Sequence, residues 1–245
     1  RAAEAGVLAP YESDAAATLP EGLQATDLTA VDYGDVCINA DMVWFEANDL
    51  PLPATLDDLT DPRYKDLLVV TNPASSSPGL AFLIATVGAK GEGYLDYWRS
   101  LMDYGTKVAA GWTEAYYTDF SGADGKGPRP LVLSYATSPA FTVTGDTSTT
   151  VALLETCFRQ VEYAGVIQGA ENEVGARRFI DFMLTPEVQA AIPENLYMFP
   201  AVPETPLPEV WQRFAVLPDE PIEVPQSEIG ASRDEWIRAW TDATS

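Results

Sequence analysis

Apolar and polar positions along the chain alternate between a strand-like and a helix-like period. Val31-Asp32-Tyr33-Gly34-Asp35-Val36-Cys37-Ile38-Asn39 is rich in strand formers and ends at a polar turn, which predicts a strand. Leu67-Leu68-Val69-Val70 and Leu131-Val132-Leu133-Ser134-Tyr135 are short apolar runs bounded by turn residues, as buried strands are. Between them the period changes. The Ser-Pro-Gly cluster at 75–79 leads into the apolar run 80–87, a strand–loop–helix unit. Tyr94, Leu95, Trp98, Leu101 and Met102 recur at three- and four-residue spacing and predict an amphipathic helix over 91–104. A further strand is expected at Cys157-Phe158-Arg159-Gln160-Val161-Glu162-Tyr163-Ala164. Alternating strands and helices predict an α/β fold.

The ends are less periodic. Residues 1–30 are Ala-rich and acidic and read as a short helix and a loop. Thr55 with Asp58 three residues on is a variant of the capping box, so a short helix should start there. Ala176, Phe179, Ile180 and Met183 line one face of a predicted helix, and Thr185-Pro186 supplies a cap and a first-turn proline for the next. Seven prolines between 200 and 225 call for extended chain or turns. A last helix, capped by Ser232 with Glu235, carries Trp236 and Trp240.

Composition narrows the chemistry. The 245 residues carry 37 acidic and 14 basic side chains, a formal net charge of −23, and no histidine. Such a surface repels phosphate backbones and acidic headgroups and favours cationic small molecules, so no nucleic-acid partner is expected. Without histidine there is no Ser-His-Asp or Cys-His nucleophile system and no imidazole metal site. No apolar run approaches the ~20 residues of a membrane helix. The chain opens at Arg1 without methionine or signal peptide and reads as a mature or truncated product. Cys37 and Cys157 are not in a CxxC arrangement; they fit a long-range disulfide in an exported protein or two buried thiols in a cytosolic one.

Three clusters could carry chemistry. Ser75-Ser76-Ser77-Pro78-Gly79 places hydroxyls at a helix start, where unpaired N–H groups favour a phosphate or sulfate; alternatively Ser77 merely caps the helix. Gly111-Trp112-Thr113-Glu114-Ala115-Tyr116-Tyr117 and Ser134-Tyr135-Ala136-Thr137-Ser138-Pro139-Ala140-Phe141 concentrate aromatics at strand ends, where α/β folds hold ligands. Their rings suit a flat heterocycle or a cation, or are ordinary core. Tyr116-Tyr117 also suggests phenolate ligation of ferric iron, and Glu114 with Asp119 a carboxylate pair for glycoside hydrolysis.

In order and spacing, Val-Asp-Tyr-Gly (31–34), Ser-Ser-Pro-Gly-Leu (76–80), Gly-Trp-Thr-Glu-Ala-Tyr (111–116), Leu-Val-Leu-Ser-Tyr-Ala-Thr-Ser-Pro-Ala-Phe (131–141), Gln-Val-Glu-Tyr-Ala (160–164) and Ala-Ile-Pro-Glu-Asn-Leu-Tyr-Met-Phe-Pro (191–200) carry a resemblance. Across nearly its whole length the chain resembles the thiamine-binding periplasmic proteins, solute receptors of thiamine-uptake ABC transporters. The resemblance implies a type II periplasmic-binding-protein fold, two lobes joined by crossover strands near 31–40 and 145–163. The division it implies is 1–42 as a remnant of lobe 1 with the first crossover, 43–144 as lobe 2, and 145–245 as the second crossover and the C-terminal part of lobe 1. The family's N-terminal section of roughly a hundred residues has no counterpart here, so the first lobe reads as incomplete.

The same resemblance assigns a ligand site. Ser76 aligns with a serine at the phosphate end of a thiamine phosphate, Trp112 with a site tryptophan and Tyr135 with a site tyrosine. Phe141 stands where tyrosine is frequent and Tyr197 where tryptophan is usual, so the stacking rings remain while fine ligand preference shifts. Glu114 is expected to support the site from behind. The implied protein is no enzyme and has no cofactor and no metal. It is a monomer outside the cytoplasm, on a lipid anchor or free, that takes thiamine or its phosphate esters to an ABC permease. A receptor of the same fold for ferric iron or a polyamine is the nearest alternative. The crossover strands bring Cys37 and Cys157 near one another in this fold, which implies their disulfide.

Overall fold

The computed structural model describes residue 2 and residues 5–244; of the N-terminal reading only residues 1, 3 and 4 lie outside the described residues, and the short helix expected over 1–30 is instead two 3-10 turns, Asp14–Thr18 and Glu21–Leu23. Eight strands and eight helices follow one another among short 3-10 turns. They are β1 (Thr29–Asp41), α1 (Met42–Ala47), β2 (Leu68–Thr71), α2 (Ser77–Lys90), α3 (Tyr94–Asp103), β3 (Lys107–Ala109), α4 (Trp112–Glu114), β4 (Leu131–Tyr135), β5 (Val143–Thr144), β6 (Thr147–Ser148), β7 (Thr150–Ala164), α5 (Glu173–Met183), α6 (Pro186–Leu196), β8 (Phe199–Pro200), α7 (Glu209–Phe214) and α8 (Gln226–Thr244). The chain forms two compact units, Arg1–Gly34 with Gln160–Glu209 and Asp35–Arg159 with Val210–Ser245. Strands β1 and β7 carry the chain from one unit to the other.

The larger unit is built on a sheet of order β3-β2-β4-β1-β7. β2 runs parallel to both neighbours, Val69 opposite Lys107 on one side and Val132 on the other, and β1 runs antiparallel to β4 with Val36 opposite Tyr135. Every residue of β2 is buried, as expected of a parallel strand covered on both faces. The main core lies under α2, α3 and α8. Trp98 is fully buried, with its ring edge-on to Phe82 at 5.5 Å and to Trp240 at 5.4 Å, and its Nε1 donates to Thr86 Oγ1 at 2.9 Å. Packing of this kind is worth more than the buried area alone.

Trp236 and Trp240 belong to that same core, so 210–245 is part of the larger unit. The sequence-based division placed this segment with the first lobe; the reason for the difference is the apolar face of α8, which has its partners on α2 and α3. The helix also begins earlier than a Ser232 cap would allow, directly after Pro225, whose carbonyl accepts from Ile229 N at 3.0 Å. Nor is 200–225 wholly extended: the proline-free stretch after Pro208 forms α7 and buries Trp211. At Thr55 the reciprocal box is present, with Asp58 Oδ2 accepting from Thr55 N at 2.9 Å and Asp58 N donating to Thr55 Oγ1 at 3.3 Å, but it closes a single 3-10 turn, Asp58–Thr60.

In the smaller unit the start of β1 pairs with β8, Asp32 opposite Pro200 and Tyr33 opposite Phe199, with those two rings stacked at 5.7 Å. Buried Gln189 ties this unit together: Oε1 accepts from Val202 N at 2.9 Å, while Nε2 donates to the carbonyls of Val31 at 3.0 Å and Met183 at 2.8 Å. On α5, Ile180 is buried and Ala176 and Met183 pack beside it. Phe179, predicted on the same face, is 60% exposed and meets Phe182 at 6.3 Å instead. Back in the larger unit, Cys37 and Cys157 are joined in a disulfide across 120 residues, which settles the two cysteine alternatives in favour of the bond.

Candidate functional site

Because β2, β3 and β4 are parallel and adjacent, their C-terminal ends share one edge of the sheet, the place where open α/β sheets bind ligands. The loop after each strand delivers one predicted residue: Ser76 after β2, Trp112 after β3 and, at the end of β4 itself, Tyr135. All three are half-buried.

Ser76, not Ser77, occupies the N-cap position of α2, with Pro78 in the first turn. Its hydroxyl does not cap the helix and donates to Thr71 Oγ1 at 3.0 Å, while its carbonyl accepts from Leu80 N at 2.9 Å. The N–H groups of the first turn therefore have no side-chain cap, and the positive end of the helix dipole points out at this edge. Gly79 makes the geometry possible, since a Cβ there would sit 2.4 Å from the Thr71 carbonyl oxygen. The loop is tied sideways to the next strand end by Ser75 Oγ donating to the Ala110 carbonyl at 2.9 Å and Asn72 N donating to that of Ala109 at 2.9 Å.

Trp112 opens a short helical turn that continues as a π-helical turn over Ala115–Asp119. Tyr116 stacks on its indole with centroids 4.8 Å apart and planes within 14°, covering one face. Tyr117 meets it edge-on at 5.5 Å and Tyr135 stands tilted at 6.4 Å. The indole Nε1 donates to Ser134 Oγ at 2.9 Å. Lys107 braces this segment from below, bonded to Glu114 at 3.2 Å and Asp119 at 2.7 Å, and Glu114 also accepts from Ala110 N at 3.0 Å. Glu114 thus ties the turn that Trp112 opens back to β3 and its following loop.

Electrostatics separates the chemistries. The Ala110 amide first and Lys107 second hold the Glu114 carboxyl below its ordinary range. A glycosidase acid needs the opposite shift, so Glu114 is unsuited to that role. Burial pushes the Tyr116 phenol up, against a smaller opposing hydrogen-bond contribution from Ser138, which disfavours the phenolate an iron ligand must supply.

The other two predicted residues stand on other elements. Phe141 ends the 3-10 turn Ser138–Phe141 beyond β4 and packs edge-on to Trp211 of α7 at 5.9 Å. Tyr197 belongs to the smaller unit, where it terminates α6 in the left-handed region at φ 61. Both are half-buried. An apolar cavity of ≈ 400 Å³ elsewhere in the larger unit is lined by Met42, Pro139, Leu154, Phe214 and Val216 among others, and by none of the five. Sequence reasoning gave no role to Ser134 and Ser138, both fully buried. The available signal was a serine inside an otherwise apolar buried strand, which must find a hydrogen-bond partner.

A sheet edge built in this way presents aromatic rings beside an uncapped helix start. The chain belongs to the bacterial extracellular solute-binding proteins, whose family model matches residues 1–225. It is similar to the thiamine-binding periplasmic protein of Brucella suis biovar 1 (strain 1330), 32% identical over 209 residues, which cover 83% of this chain and 60% of that protein. The chain therefore spans about 60% of the length of the curated relatives it matches. A solved periplasmic thiamin binding protein superimposes with a TM-score of 0.86 at 28% identity, covering 100% of this chain and 74% of its own. The iron-bound HitA protein of Pseudomonas aeruginosa shares the fold, with a TM-score of 0.76 at 18% identity over 100% of this chain and 79% of its own. The expected periplasmic-binding-protein α/β fold is thus the one observed.

Proposed function

We propose that this chain is the receptor part of a thiamine importer, binding thiamine or its phosphate esters outside the cytoplasm and handing them to an ABC permease. The observation that carries the reading is the convergence of Ser76, Trp112 and Tyr135 on three adjacent parallel strand ends. The indole face of Trp112 opposite Tyr116 suits the flat, cationic thiazolium or the aminopyrimidine, by stacking and cation–π attraction. Ser76 and the uncapped start of α2 suit a phosphate. Phe141 and Tyr197 are proposed as further ring contacts. A net charge of −23 favours a cation's approach. The names of the relatives support the ligand, and the disulfide supports an oxidising, extracytoplasmic setting. Binding makes and breaks no bond, so no catalytic residue is assigned, and a monomer suffices.

The test is a tryptophan-fluorescence titration of the chain with thiamine and thiamine monophosphate. Saturable quenching that vanishes in Trp112→Phe is the expected result. A flat titration with both ligands, together with a colour that develops on adding ferric citrate, would move the reading to the iron receptors that share the fold.

A further inference from the structure

Trp112 is the residue on which the proposed site depends, yet it sits on a loop followed by only a brief helical turn and a π-helical turn. Such a segment does not by itself fix an indole plane. What holds the ring is hydroxyl chemistry beneath it. Ser134 Oγ accepts from Trp112 Nε1 at 2.9 Å and lies 2.7 Å from Ser138 Oγ. Ser138 Oγ in turn accepts from the backbone N of Tyr135 at 3.3 Å. Two fully buried serines four residues apart therefore hold the indole N–H of Trp112 and the backbone N–H of Tyr135.

The geometry points to Ser134 and Ser138 as positioning residues: a buried hydroxyl pair that fixes the plane of Trp112 and the exit of Tyr135 from β4, and through them sets the affinity of the site. Its consequence for affinity rests on the thiamine-receptor reading; the fixing of the ring does not. The reason two serines are used rather than one follows from valence. A hydroxyl has one proton to donate, and Ser134, having accepted from the indole, directs its own proton to Ser138 or accepts from it, so neither buried oxygen is left unsatisfied. Replacing either with alanine removes one of the other's hydrogen bonds inside a buried strand end.

Both arms of the test use the intact chain. The six tryptophans give indole N–H resonances in a nitrogen–proton correlation spectrum, and the one lost in Trp112→Phe belongs to Trp112. In Ser134→Ala and Ser138→Ala that resonance should shift and lose protection from solvent exchange, and thiamine affinity should fall about tenfold. Ser138→Thr, which keeps the hydroxyl, should restore most of both. Thr142→Val is the control, since Thr142 belongs to a separate buried hydroxyl cluster with Ser148 and Thr150. It should lower stability without moving the Trp112 resonance or the affinity. An unmoved resonance in both alanine variants would overturn the inference, as would an equal displacement by Thr142→Val. Failure of the unmodified chain to bind thiamine would sink the receptor reading alone, leaving the resonances to decide the role of the serines.

Discussion

Arg159 grips Asp35 with two prongs of its guanidinium, Nε to Oδ1 at 2.7 Å and Nη2 to Oδ2 at 2.8 Å. The carboxylate is fully buried, whereas the arginine side chain is 37% exposed. These are the residues at which the chain enters and leaves the larger unit on β1 and β7. Removing the arginine leaves a buried charge without its partner, which costs far more than the pair itself contributes. Arg159→Met should lose about 3 kcal/mol in urea unfolding, and adding Asp35→Asn should recover a large part of it. A single variant within experimental error of the parent would refute the account.

Two residues further into the larger unit, on the same two strands, Cys37 and Cys157 are bonded. Closing a loop of this size removes roughly 4–5 kcal/mol of freedom from the unfolded chain in the entropy model. The expected outcome is a marked fall in the urea midpoint on adding reductant, reproduced by the Cys37→Ala, Cys157→Ala double variant without it. Thiol titration of denatured, unreduced protein should find none; two free thiols would contradict the bond.

Counting back along the strands from Cys37–Cys157 and Asp35–Arg159 brings Asp32 opposite Glu162. Asp32 is buried, its Oδ1 has no hydrogen-bond partner, and desolvation first, then the Glu162 charge, push its carboxyl up to about 7. The folded chain therefore holds this proton more tightly than the unfolded chain, whose aspartate titrates near 3.9. Its contribution to stability is complete below about pH 4, declines between about pH 4 and 7, and is gone above that. Asp32→Asn should flatten this part of the pH–stability curve and be more stable than the parent at pH 8 by about 2 kcal/mol. Parallel curves for the two proteins between pH 5 and pH 8 would remove Asp32 as the cause.

The phosphate end of the proposed ligand has its own prediction. Ser76→Ala should leave thiamine binding nearly unchanged and weaken thiamine monophosphate about tenfold, the size of one hydrogen bond to a charged group. Isothermal titration with both ligands measures the ratio. Equal losses for the two would place the hydroxyl elsewhere than at the phosphate.

Strands were legible in the sequence where burial is complete. β2 and β4 read as apolar runs, broken only by Thr71 and by Ser134 before Tyr135, because a covered parallel strand has no polar face. Trp98 and Leu101 announced α3 through helical spacing. What stayed hidden was partnership. The position of Phe179 on α5 looks like core by period alone, and only the absence of a neighbour over that face leaves it exposed. The destination of α8 could not be read either, since an apolar helix face does not name the helices it will cover. For the proposed site, motif resemblance nominated Ser76, Trp112 and Tyr135, which stand at the ends of adjacent strands. It was silent on Ser134 and Ser138, because a hydroxyl's partner is a matter of three-dimensional distance and leaves no period in the chain.

The cross-ties between the loops also bear on how such a receptor changes its ligand over evolutionary time. Ser75 is bonded to the carbonyl of Ala110, and Trp112 to Ser134, so the three strand-end loops are laced into one piece. A replacement in any one of them is felt by the other two. New specificity at this edge should therefore arise through concerted exchanges, with single substitutions showing strong epistasis rather than small independent steps.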